Sequence, residues 1–62
     1  MDSSRIASIG WSKNVMEVEF HNGAVYQYED VTLEEYWAFR NAPSLGRALS
    51  EFDQRHPYFR VE

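Results

Sequence analysis

The chain has no cysteine, only two prolines and three glycines, and no long apolar run in its 62 residues. Each absence excludes something. Without cysteine there are no disulfides and no thiolate metal site, and the usage suits a reducing compartment, so a cytoplasmic location is expected. No stretch approaches the ~20 apolar residues of a membrane span, and residues 1–15 lack the continuous apolar core of a signal peptide, so no membrane partner is expected. Positive charge is also scarce. The net charge of −4 leaves no basic stripe of the kind that marks a nucleic-acid binder. There is no internal repeat, linker or low-complexity segment.

Aromatic residues are present in quantity. They make up 16% of the chain. A chain this short buries only about 60% of the surface its unfolded form exposes, and each large ring buries ~150–250 Å². The aromatic content therefore compensates for a thin core in a single domain, residues 1–62.

Periodicity predicts an α+β fold: a small antiparallel sheet of three strands at 5–11, 15–20 and 24–29, with a candidate fourth at 58–61, packed on two helices at 33–41 and 45–55. A frayed polar start is expected at 1–4. In the first strand Ile9 and Trp11 share a face, while Ile6 is out of phase and predicts a bulge. Gly10 suggests the close approach of another backbone or ring. Ser12-Lys13-Asn14 is turn chemistry. In the second strand Met16, Val18 and Phe20 alternate with Glu17 and Glu19, the pattern of a half-buried strand.

Asn22-Gly23 is a strong hairpin signal, and burial decides its register. A two-residue loop would set Tyr26 and Tyr28 opposite Glu19 and Glu17, on the acidic face. A loop of His21-Asn22-Gly23, with Gly23 left-handed, pairs Val18 with Tyr26, Met16 with Tyr28 and Glu17 with Gln27. Only the second register separates an apolar face from a polar one.

Thr32 followed by Glu35 is a capping box, with Val31 poised to staple against Tyr36. Leu33, Tyr36, Trp37 and Arg40 predict one face of the first helix; Phe39 lies off that stripe, toward the second helix. Pro43 ends the first helix near Asn41. Ser44 is the expected N-cap of the second, whose apolar stripe is Leu45, Ala48, Leu49 and Phe52, and Pro57 stops it.

The ordered set Ser4, Ile9-Gly10-Trp11, Val18-x-Phe20, Gly23, Tyr26-x-Tyr28, Val31, Ala42, Ser44 and Gly46 resembles the KTSC domain. That family is named for the C-terminus of some lysyl-tRNA synthetases, and it also occurs as stand-alone bacterial and phage proteins. The resemblance spans nearly the whole chain and implies RNA as a candidate partner. The chain departs from the usual pattern at Trp11-Ser12, Thr32, Leu49-Ser50 and near Asp53, which weakens the transfer of a polar site more than of the fold.

Each candidate site has a functional and a structural reading. Tyr26 and Tyr28 could form a base-stacking platform, but the register sets them on the apolar face, which favours a structural role. Trp11 and Trp37 are expected in the core. Ser44, Gly46 and Arg47, with Arg40 beside them, form a candidate anion or nucleic-acid contact, because a helix start offers free N–H groups and Arg47 could fork onto a phosphate. The alternative is an ordinary capped helix whose Gly46 lets the helices pack closely. Acidic Glu17, Glu19 and Glu29 fall on the outer hairpin face, while Arg55, His56 and Arg60 form a loose basic segment.

No serine has a recognisable base partner, and neither His21 nor His56 has a ligand partner at metal spacing. The expectation is therefore a non-catalytic binding module without cofactor, with RNA as candidate ligand. The alternative is a protein-interaction or self-associating module, a protein partner or homodimer being suggested by the aromatic surplus and by exposed strand edges.

Overall fold

The computed structural model describes residues 5–62. The expected start at 1–4 and Ser4 of the family pattern lie outside the described residues. The elements run β1 (Ile6–Ser12), β2 (Val15–Phe20), β3 (Val25–Tyr28), α1 (Leu33–Arg40), α2 (Leu45–Arg55) and β4 (Tyr58–Arg60). The fold is α+β. Its antiparallel sheet has the order β1-β2-β3-β4, so the tail does form a fourth strand, on the free side of β3.

Both hairpins follow from local chemistry. Lys13 and Asn14 both have positive φ, 52° and 66°, the mark of a two-residue turn whose twist matches its strands. Ser12 therefore pairs with Val15 as the last residue of β1. In the second hairpin Val18 faces Tyr26, Met16 faces Tyr28 and Glu17 faces Gln27, the register that burial demanded. Gly23 sits at φ 93°, its N–H donates to Phe20 O at 3.0 Å, and the Asn22 side chain accepts from Ala24 N. The β1–β2 register shifts between Ile6 and Ser8, the bulge predicted by Ile6 being out of phase.

The core is one cluster of Met16, Val18, Tyr28, Val31, Phe39, Leu49 and Phe52. Thr32 and Glu35 form the complete capping box. Trp11 donates its indole N–H to Val31 O at 2.8 Å and stacks on Tyr36, while Val31 N donates to Asn14 O. The start of α1 is thereby tied to the β1–β2 hairpin.

Three expectations need correction. First, of the expected stripe only Tyr36 packs on the core, while Leu33 (51% exposed), Trp37 (55%) and Arg40 face outward; Phe39 meets the second helix as expected and is in the core. The physical reason is the docking of α2: Phe39 and Phe52 meet at 5.2 Å between centroids, and this rotates the helix away from the stripe. Second, Trp37 is consequently a surface residue. Third, among the described residues no group approaches the position a Cβ would take at Gly10, which lies opposite Glu17 on the outer face of the sheet.

Candidate functional site: an aromatic groove with basic ends

The two helices cover only part of the inner face of the sheet. The cover falls over Met16, Val18 and Tyr28, which are buried, and leaves Phe20 and Tyr26 half-buried. The result is a groove of about 720 Å³ at the hairpin end of the sheet.

Period two brings the groove residues together. Tyr26 pairs with Arg60 and Tyr28 with Tyr58, so β4 adds an arginine and a tyrosine to the same face as the β3 tyrosines. Phe20 meets Tyr26 edge-on at 5.8 Å, Tyr26 lies 6.1 Å from Tyr58, and Tyr58 stacks on Tyr28 at 5.1 Å. One wall is α2, through Leu49 and Asp53; Arg5, His21 and Asn22 close the hairpin end. A smaller recess carries the groove on past Ile6, Ser50 and Gly46.

Tyr28 and Asp53 join the floor to the wall. The Tyr28 hydroxyl donates to Asp53 Oδ1 at 2.6 Å. Burial, then the hydrogen bond and charge of Asp53, push the Tyr28 phenol far above its ordinary ionisation range. Arg60 donates through Nε to Glu62 O at 2.7 Å, which braces its side chain beside the groove.

The residues singled out from sequence do not gather at one place. Arg40 lies over the Trp37 ring, its guanidinium carbon 5.2 Å from the centroid. Ser44 caps α2 by accepting from Arg47 N at 3.3 Å, and the Arg47 side chain is exposed. Gly46 lines the recess beside Arg5, but neither Arg40 nor Arg47 lines the groove. Trp11 is structural, as its bond to Val31 shows. Tyr26 and Tyr28 part company: Tyr28 is 2% exposed and belongs to the core, whereas Tyr26 faces the groove. The basic C-terminal segment also divides. Arg55 and His56 turn to Glu35, at 3.5 and 3.4 Å, while Arg60 turns to the groove.

Arg5, Phe20, Asp53, Tyr58 and Arg60 form one constellation that is not evident from the chain alone. The signal was present in part, because a fourth strand paired to β3 must set Tyr58 and Arg60 on the tyrosine face. Glu17 and Glu19 stand on the outer face as expected, bonded to Gln27 and Ser8. Among the described residues no helix is long and apolar enough to cross a membrane.

These features define a small sheet-and-two-helix domain with an open groove on the helix side of the sheet. The profile of the KTSC domain matches residues 2–58. The chain belongs to the KTSC domain family. It is also similar to an uncharacterised protein of Stutzerimonas stutzeri (strain A1501), 36% identical over 66 aligned residues that cover all of this chain and 93% of that protein.

Proposed function

We propose that the domain is a non-catalytic binding module for single-stranded nucleic acid, RNA in particular, and that the ligand lies in the aromatic groove. The observation that carries this reading is the joining of Tyr26 and Tyr58 with Arg5 and Arg60 in one groove. Ring faces accept unstacked bases, and guanidinium groups beside them take the flanking phosphates. Glu17 and Glu19 lie on the opposite face of the sheet, and among the described residues the groove lining holds Arg5 and Arg60 against the single acidic residue Asp53.

The test is fluorescence anisotropy of labelled single-stranded RNA and of bulk tRNA at low salt. Tyr26→Ala is expected to cost ~1–3 kcal/mol of binding. Arg5→Ala and Arg60→Ala should each lower the log–log salt slope by about 0.7. Arg40→Ala and Arg47→Ala, away from the groove, should leave binding near that of the parent. No detectable binding to any of these RNAs would remove the reading.

A second reading has its own observation. Leu33 and Trp37 stand exposed side by side on α1, with Ala38 beside them. An apolar helix face of this kind suits a protein partner or a second copy of the chain. Light scattering that shows a monomer at all concentrations would exclude the homodimer.

A further inference from the structure

We infer that the base preferred by the groove is guanine, read along its Watson–Crick edge by the Asp53 carboxylate. The inference rests on the single-strand reading above. The groove holds charges of both signs: Arg5 at the hairpin end, Asp53 on the α2 wall and Arg60 from β4. A carboxylate repels phosphate. The part of a polyanionic strand that lies against Asp53 therefore has to be uncharged and has to bring hydrogen-bond donors. In a single strand that part is the edge of a base.

Asp53 is oriented for this work by a neighbour that cannot swing away. Its Oδ1 accepts from the Tyr28 hydroxyl at 2.6 Å, and the Tyr28 ring is held between Phe52, edge-on at 6.3 Å, and Tyr58, stacked at 5.1 Å. Each carboxylate oxygen has more than one lone-pair site, so the pair of oxygens still accepts from a ligand. Asp53 also lines both the groove and its extension, facing the space beside Tyr26 and Phe20.

Two parallel acceptors select among the bases. Adenine and cytosine each set one amino donor beside a ring nitrogen that is itself an acceptor, which would oppose the second carboxylate oxygen. Uracil sets its single N–H between two carbonyls. Guanine alone presents two adjacent donors, N1–H and the 2-amino group, and both oxygens are satisfied at once.

The test uses the full chain and labelled oligouridylates of about six nucleotides, a length within the usual site size of single-strand binders. Each carries one central guanine, inosine, adenine or cytosine. Guanine is expected to bind about tenfold more tightly than adenine or cytosine, the scale of one good bidentate contact. Inosine, which lacks only the 2-amino group, should lose much of that advantage without any change to the protein. Asp53→Asn keeps an oxygen for the Tyr28 hydroxyl and should abolish the guanine preference, read within that variant as the ratio of guanine to adenine affinity. Equal binding of all the oligomers, or a guanine preference that survives in Asp53→Asn, would overturn the assignment and leave the single-strand reading standing. Failure of every oligomer to bind would overturn both.

Discussion

Tyr28 and Asp53 are joined by a 2.6 Å hydrogen bond that links the inner face of the sheet to the outer flank of α2. The donor ring is in the core, and the acceptor stands at the edge of the groove. Tyr28→Phe should keep the packing with Phe52 and lose ~0.5–1.5 kcal/mol of stability, read by urea unfolding. A loss near zero would mean that water serves Asp53 as well as the phenol does.

The same bond sets an alkaline limit. Burial first, and Asp53 second, hold the Tyr28 phenol protonated well above its ordinary range. The folded state then keeps a proton that the unfolded chain releases near pH ~10. Stability contributed by Tyr28 is complete below that pH and falls as the pH rises beyond it. An ultraviolet titration should show the Tyr28 phenol silent until the fold opens, and Tyr28→Phe should remove that late-ionising phenol.

Glu35 works on two elements at once. Its Oε1 accepts from Thr32 N at 2.9 Å, and its Oε2 lies 3.5 Å from Arg55 and 3.4 Å from His56. The Thr32 backbone N–H, chiefly, together with His56 and Arg55 holds its carboxyl below the ordinary range against a smaller opposing effect of desolvation. Its contribution is thus present above the ordinary carboxylate range and lost as the pH falls through the lowered one. Glu35→Ala should cost about 1 kcal/mol by thermal melting, the scale of a helix cap. Glu35→Gln keeps the cap chemistry and should recover part of it, with a flatter acid limb.

The corrected face of α1 can be tested by a contrast. Phe39→Ala should cost ~3–5 kcal/mol, enough to unfold a domain this small. Trp37→Ala, at a surface position, should change stability by no more than about 0.5 kcal/mol. The opposite order would restore the stripe that the spacing of Leu33, Tyr36 and Trp37 suggests.

Trp11→Phe probes the link between the first hairpin and α1. It keeps a ring against Tyr36 but leaves Val31 O without its 2.8 Å donor. An unsatisfied, largely buried carbonyl is expected to cost ~1–3 kcal/mol in chemical denaturation.

The parts legible in the sequence are those fixed locally. Asn22-Gly23, the alternation of Met16, Val18 and Phe20, and the Thr32–Glu35 box each state their own geometry, and the structure follows them. The face of α1 was legible only in part: Phe39 was expected toward the second helix, but the exposure of Leu33 and Trp37 depends on where Phe52 of α2 arrives. Arg5, Asp53 and Arg60 were equally opaque as a group. They meet only after three separate segments have assembled, and no spacing along the chain encodes that meeting.

The sheet order has a kinetic consequence. β1, β2 and β3 are neighbours in the chain as well as in the sheet, so their hairpins close over short loops. β4 pairs with β3 only after the excursion through both helices, across residues 29–57. It is a three-residue edge strand, so it should assemble late and open early. Tyr58 and Arg60 travel with it. Hydrogen exchange at the amides that β4 shares with β3 would therefore report the opening and closing of the groove itself, on a timescale separate from global unfolding.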